Sequence, residues 1–254
     1  MSDFSSAFGL AGHHALITGG GSGLGLAIAE CFVGAGARVT LVGTNREKLS
    51  AACDGLGEAA AYDVHDVTRF TDAAACADRI AKRLGAVSIL VNNAGNTIKK
   101  PIPDMAFADF QSVMDVHVGG AFAMSRAFIP QVAEMQGSIL FTASMSSFLG
   151  IPDIIGYATA KSAYVGMVRS MAAELAPRGI RVNGVAPGWI DTSLFRDATA
   201  RDPARRARIE ARIPMRKLGG GSDVGWAMTY LASAAAGYVT GHILVVDGGA
   251  LHAF

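Results

Sequence analysis

Ala15-Leu16-Ile17-Thr18-Gly19-Gly20-Gly21-Ser22-Gly23-Leu24-Gly25 is the stretch on which the fold turns. A short β-type run, Ala15–Thr18, passes straight into a glycine-rich turn, and the turn opens the helical pattern Gly23–Gly34. A strand with no polar alternation is buried on both faces, as in a parallel sheet covered by helices. Glycines at such a turn let the backbone bend tightly and approach a bound group closely, while the helix N-terminus favours negative charge. In this context the turn reads as a cradle for a dinucleotide pyrophosphate, with Gly19, Ser22, Gly23, Leu24 and Gly25 as candidate contacts. The spacing of Gly19, Gly23 and Gly25 is wider than the six-residue G-x-G-x-x-G pattern.

Runs like the first recur at Arg38–Val42, Val87–Val91, Ser138–Thr142, Arg181–Val185 and Ile243–Val246. Helix-type segments separate them: Arg46–Cys53, Thr68–Leu84, Phe107–Glu134 and Tyr157–Leu175. Such alternation builds βαβ units with right-handed crossovers, hence a single doubly wound α/β domain over residues 1–254, with about seven strands and helices on both faces. Residues 189–216 break the rhythm and are too long for an ordinary connection, so they are expected to form a lid.

Composition narrows the functional classes. With 254 residues, 51% hydrophobic and 17% charged, the chain has the apolar content to bury a core. A net charge of +1 argues against a nucleic-acid partner, which would call for a basic excess. Cys31, Cys53 and Cys76 lie apart with no CxxC spacing, which gives no metal site and points to a reducing, cytoplasmic setting. The uncharged run from Val224 to Val246 is long enough to span a bilayer, but glycines, hydroxyls and His242 interrupt it. It divides into a helix (Val224–Ala234), a turn at Gly237 and the last strand, so no membrane segment is expected. The opening MSDFSSAFGLAG has neither the basic nor the apolar region of a signal peptide.

The end of the second strand reads Val42-Gly43-Thr44-Asn45-Arg46. An acid there would hydrogen-bond a ribose 2′-hydroxyl and a base would accommodate a 2′-phosphate, so the absent acid favours NADP(H) over NAD(H). Thr44, Asn45 and Arg46 are the candidate contacts, although Asn45 also suits a helix cap. Further along, Tyr157 and Lys161 stand one helical turn apart on one face. An ammonium beside a phenol stabilises phenolate and makes it a usable acid–base group nearer neutrality.

These landmarks stand in an order that resembles the short-chain dehydrogenase/reductase family over essentially the whole chain: Thr18-Gly19…Gly23-Leu24-Gly25, Asp63-Val64, Asn92-Asn93-Ala94-Gly95, Ser144, Tyr157…Lys161 and Pro187-Gly188…Thr192. The resemblance implies a Rossmann-type fold and hydride exchange between a nicotinamide cofactor and a secondary alcohol or ketone. It implies Tyr157 as the general acid and base, and Lys161 as the group that lowers its pKa and binds the nicotinamide ribose. Ser144, thirteen residues earlier, would hydrogen-bond the substrate oxygen. Asp63 and Val64 would meet the adenine, and Asn92, Ala94 and Gly95 would frame the cofactor. Pro187 and Gly188 turn the chain, so that Ile190 and Thr192 hold the carboxamide.

One position departs from the family pattern. His117 in Asp115-Val116-His117-Val118-Gly119 stands where many members carry an asparagine of a proton relay. Imidazole can donate and accept, so His117 is a fourth candidate catalytic residue; it is equally well read as a satisfied core histidine. Substrate contacts are expected from Asn96, Lys99, Met145, Trp189 and Arg196. From Asp191 to Lys217 eight basic residues face four acidic ones, a local excess that could draw an anion or simply coat a solvated helix. Local similarity to gluconate 5-dehydrogenases and deoxygluconate dehydrogenases makes a sugar, sugar acid or polyol the expected substrate. A 3-oxoacyl-thioester reductase and an inactive NADP(H)-binding sensor or scaffold are the alternatives. The apolar surplus on the two long helices points to a homotetramer or homodimer.

Overall fold

The computed structural model describes residues 3–192, 195, 196, 200 and 202–252. Seven strands form one parallel sheet: β1 (His14–Thr18), β2 (Arg38–Gly43), β3 (Ala60–Val64), β4 (Ile89–Asn92), β5 (Ser138–Thr142), β6 (Arg181–Pro187) and β7 (Ile243–Val246). Their order is β3-β2-β1-β4-β5-β6-β7. The chain winds outward from β1, returns to β4 and winds outward again, which leaves a crevice beyond the carboxyl ends of β1 and β4 where ligands of such sheets bind.

The helices are α1 (Phe4–Phe8), α2 (Gly23–Gly34), α3 (Arg46–Leu56), α4 (Ala73–Leu84), α5 (Phe107–Met114), α6 (Gly120–Glu134), α7 (Ile155–Leu175), α8 (Pro203–Arg212) and α9 (Gly221–Ala232). Successive strand residues serve opposite faces. Leu16, Leu90, Ile139 and Phe141 pack under Ile80 of α4, Phe128 of α6 and Tyr164 of α7. Ile17, Leu41, Val91 and Leu140 pack under Phe32 of α2, Leu49 of α3 and Met228 of α9. Burying one such side chain stabilises the fold by roughly 1.5–3 kcal/mol, so a sheet that is apolar on both faces needs both helical layers.

Three local expectations change. The strand Ala60–Val64 was not among the apolar runs; it is an edge strand, half exposed and carrying Tyr62 and Asp63. The segment Phe107–Glu134 is not one helix: a single π turn, Asp115–Gly119, separates α5 from α6 and holds His117. Residues 189–216 carry α8 and an isolated bridge from Ile190 to Gly219, while positions 193, 194, 197–199 and 201, Arg201 included, lie outside the described residues. No helix among the described residues is long and apolar enough to cross a membrane; the uncharged run instead supplies most of α9 and the strand β7.

Candidate active site

Thr18, at the tip of β1, organises the crevice. Its hydroxyl donates to the Val91 carbonyl (3.2 Å) and accepts the backbone N–H groups of Asn93 and Ala94, both at 3.0 Å. Asn93 returns the contact: its side-chain amide donates to the Thr18 carbonyl at 3.0 Å, and its Oδ1 accepts from the Thr142 hydroxyl at 3.1 Å. The ends of β1, β4 and β5 are thus laced together. Gly19 has φ +66, and a Cβ on it would lie 2.9 Å from the Ala94 Cα, so both backbone sign and space require glycine. A Cβ on Gly23 would meet nothing within 4 Å, so that glycine borders open space. Ser22, at the N-cap of α2, makes no capping bond, and the first turn holds no acid. A cradle of backbone, a free hydroxyl and an unneutralised helix N-terminus fits a pyrophosphate.

The cradle continues into a cavity of about 570 Å³ that Asn93, Ala94, Gly95, Asn96, His117 and Lys161 also line. Leu24, Lys99, Thr142, Ile154, Tyr157 and Thr192 are shared with a second cavity of about 700 Å³, so the two open on each other at Tyr157. Ser144 lies on the second cavity with Tyr157, and its hydroxyl favours the ionised phenol. The Ser144 hydroxyl itself accepts from the Ser146 hydroxyl at 2.8 Å and its backbone N–H at 3.2 Å. Lys161 is buried behind the phenol, one turn along α7, with Nζ 5.5 Å from the centre of the Tyr157 ring and hydrogen-bonded to the Thr142 carbonyl.

Burial raises the Tyr157 phenol above its ordinary range, and the Ser144 hydroxyl only partly opposes the rise. Lys161 donates to the Thr142 carbonyl, and burial pulls its own pKa down to about 7. A lysine poised near neutrality can hold or release a proton at working pH.

At the far edge, Thr44, Arg46, Asp63 and Val64 border a third cavity of about 690 Å³, where the Arg46 guanidinium stands 6.0 Å from the Tyr62 ring centre. Asn45 caps α3, its Oδ1 accepting from the Lys48 N–H at 2.8 Å. The Asp63 carboxylate is held by Arg79 at 2.6 and 2.9 Å. Pro187, Gly188, Trp189, Ile190 and Thr192 all line the second cavity.

A family model described as enoyl-(acyl carrier protein) reductase matches residues 19–251. A galactitol 2-dehydrogenase (L-tagatose-forming) of Cereibacter sphaeroides is 39% identical over 254 residues, covering 97% of this chain and 98% of that protein. The chain belongs to the short-chain dehydrogenase/reductase family. Its members include a 3-oxoacyl-(acyl-carrier-protein) reductase of Escherichia coli (strain K12), 34% identical over 239 residues, with 94% of this chain and 97% of that protein covered. A solved gluconate 5-dehydrogenase from Burkholderia cenocepacia J2315, in complex with NADP and tartrate, superposes with a TM-score of 0.94 at 33% identity over 99% of this chain and 100% of that one. The family is one of NAD(P)-dependent oxidoreductases.

As a short-chain dehydrogenase/reductase the chain places several candidates away from the cavities. Asn92 turns inward and donates to the Ser125 hydroxyl at 2.9 Å; its neighbour Asn93 is the one that reaches the cradle. Met145 is buried in a 3₁₀ turn (Met145–Ser147). Arg196 pairs with Asp191 at 3.3 Å, Arg206 with Glu210 at 2.9 Å and Arg208 with Asp202 at 3.9 Å. Three of the segment's eight basic residues are thus paired with its own acids. Arg212 instead lies 6.0 Å from the Trp189 ring centre, and Lys100 is held by Asp109 at 2.5 Å, which leaves Lys99 as the lysine on the cavity wall. Sequence reading missed Thr142, Ile154 and Tyr164, whose types carry no motif; the doubled Asn92-Asn93 was a signal, read one residue early.

Proposed function

We propose that this protein is an NADP(H)-preferring dehydrogenase or reductase that interconverts a secondary alcohol and a ketone on a sugar, sugar acid or polyol. The observation that carries the reading is that Ser144 and Tyr157 line one cavity where it opens on a second, with Lys161 buried directly behind. The bound nicotinamide supplies or takes the hydride, and the chain's residues orient the substrate and move the proton. Tyr157 Oη gives its proton to the carbonyl oxygen in reduction and takes the hydroxyl proton in oxidation. Ser144 Oγ donates to the same oxygen and fixes its distance from the phenol. Lys161 holds an exchangeable proton behind the ring. Gly19, Ser22, Gly23, Leu24 and Gly25 hold the pyrophosphate, while Ala94 and Gly95 back the cofactor and Ile190 and Thr192 grip the carboxamide.

NADP(H) is favoured because the β2 terminus carries Thr44 and Arg46 and no acid. A solved relative that holds NADP supports the same choice. Lys99 on the cavity wall supports an acidic substrate, and relatives named for galactitol and gluconate support a polyol or sugar acid. Trp189, Thr192, Phe195 and Ile209 line the second cavity, which supports a lid role for the described part of residues 189–216 over this one domain. Apolar side chains left exposed on the helices, Phe107, Phe122 and Ile155, support assembly into a homotetramer or homodimer. Three cysteines without disulfide partners fit a cytoplasmic enzyme.

The test is a screen of sugars, sugar acids, polyols and a 3-oxoacyl thioester with NADP(H) and NAD(H), read at the nicotinamide absorbance, alongside Tyr157→Phe. Turnover of a sugar-type substrate with NADP(H), abolished by Tyr157→Phe, is expected. Turnover confined to the thioester, or cofactor binding with no turnover on any carbonyl, overturns the reading.

A further inference from the structure

The serines of Ser144-Met145-Ser146-Ser147 divide the work of one turn between them. β5 ends at Thr142, and the 3₁₀ turn Met145–Ser147 follows with Ser144 as its N-cap. Ser147 pins the turn to α7: its hydroxyl donates to the Lys161 carbonyl at 2.7 Å, and its own carbonyl accepts from the Ser162 hydroxyl at 3.3 Å. The helix that carries Tyr157 and Lys161 is thereby fixed to the strand end that carries Ser144. Ser146 is 3% exposed and lines neither of the two joined cavities. Its hydroxyl lies 2.8 Å from Ser144 Oγ, and its backbone N–H donates to the same oxygen at 3.2 Å.

The direction of the hydroxyl pair follows from where each proton can go. Ser146 Oγ has no other acceptor among the described residues. A buried hydroxyl that cannot place its proton forfeits a hydrogen bond and keeps the cost of leaving water. Ser146 therefore donates and Ser144 accepts. A hydroxyl oxygen has two lone pairs and one proton. Both lone pairs of Ser144 are then taken, one by the Ser146 hydroxyl and one by the Ser146 N–H, and its proton is left the cavity side, which it shares with Tyr157. The influence of Ser144 on the phenol has the matching sign: it lowers the Tyr157 pKa, as a donor to phenolate must.

We propose that Ser146 is a positioning residue that makes Ser144 an obligatory donor. Ser144 then gives its hydrogen bond to the substrate oxygen or to the phenolate and accepts from neither. A substrate alcohol meets one fixed direction: its oxygen accepts from Ser144 and its proton leaves toward Tyr157. Polarisation along the hydroxyl chain strengthens the last donor. The proposal rests on the reading that Ser144 and Tyr157 share the substrate oxygen.

Neutron diffraction from crystals of the deuterated full-length protein tests the direction without any turnover. A deuteron on Ser146 Oγ aimed at Ser144 Oγ, with the Ser144 deuteron on the Tyr157 side, is expected. A deuteron running from Ser144 to Ser146 overturns the proposal. In kinetics, with an alcohol substrate found in the screen, Ser146→Ala lets the Ser144 hydroxyl turn, and kcat for oxidation falls about three- to tenfold. The cofactor KM stays within about twofold. The acid limb of the pH profile moves to higher pH, because a phenolate with a weaker donor is harder to form. Ser146→Thr keeps the hydroxyl and recovers both rate and profile. In a Ser144→Ala background Ser146→Ala has no further effect. An equal loss in that background, or a loss with the pH profile unmoved, assigns Ser146 to packing alone and overturns the role. Turnover surviving in Tyr157→Phe sinks the underlying reading and leaves the neutron result standing.

Discussion

Gly95→Ala puts the packing around His117 to a quantitative test. The added Cβ would lie 2.3, 2.9 and 3.1 Å from three atoms of the imidazole, where ordinary contact begins at 3.4 Å. The ring must retreat by about 1 Å, yet Nε2 is tied to Asn96 and one edge rests on Tyr157. Overpacking of this kind costs roughly 1–3 kcal/mol, and each kcal/mol lowers Tm by about 2–4 °C in a chain of this size. Displacing the support of Tyr157 by about 1 Å is expected to cost up to about 10²-fold in kcat. The background decides whether the ring is responsible. Gly95 is not in the left-handed region, so once His117→Ala removes the ring, alanine at 95 restricts only the unfolded chain and stabilises by about 0.4–1 kcal/mol. A double-mutant cycle by thermal melting therefore yields a coupling of about 1.4–4 kcal/mol and a change of sign. Additive losses in the two backgrounds would refute the assignment of Gly95 to the imidazole.

Lys161→Met is expected to abolish turnover and raise stability. The unfolded chain keeps the lysine proton to about pH 10.4, whereas the folded chain releases it near 7. Between those values the unfolded state binds more protons, so stability climbs with pH, and below 7 the burial penalty is undiminished. The gain in Tm from Lys161→Met is thus larger at pH 6 than at pH 9; a gain independent of pH, or a loss at pH 6, contradicts the buried-lysine account. Asn45→Ala and Arg46→Ala separate capping from cofactor choice. The first costs about 1 kcal/mol as a lost N-cap and lowers Tm with little change in cofactor preference, while the second raises the KM for NADPH and leaves that for NADH nearly unchanged.

Much of the fold was legible because both faces of the sheet are covered. Six apolar runs marked six strands, and the glycine turn placed β1 and α2 with Gly23–Gly34 bounded as read. The edge strand β3 escaped because an edge needs no apolar run, and Asp63 finds its stability in Arg79 instead of a core. At the site, the residues with fixed chemistry were readable: Ser144, Tyr157 and Lys161 do meet. The basic residues of 189–216 were not, since a charge count carries no information on whether Asp191 or Glu210 answers its neighbour. Side-chain direction was equally hidden at Asn92 and Asn93, where adjacent strand-end residues point to opposite faces.

His117 marks the deeper limit. Phe107 to Glu134 read as one helix although Gly119 and Gly120 stand at the π turn, because glycine within a helical pattern is tolerated and does not by itself mark a boundary. What distinguishes the position is a pair of choices 22 residues apart, an imidazole at 117 and no side chain at 95. Neither has meaning alone. Glycine after Ala94 reads as part of a cofactor motif, and histidine in a helix reads as a polar residue that found a partner. Only the 2.3 Å that would separate a Cβ at 95 from the imidazole Cε1 shows that the glycine makes room for the ring. A chain with an amide at 117 should therefore tolerate alanine at 95 far better than this one does, which makes the two positions a single packing unit.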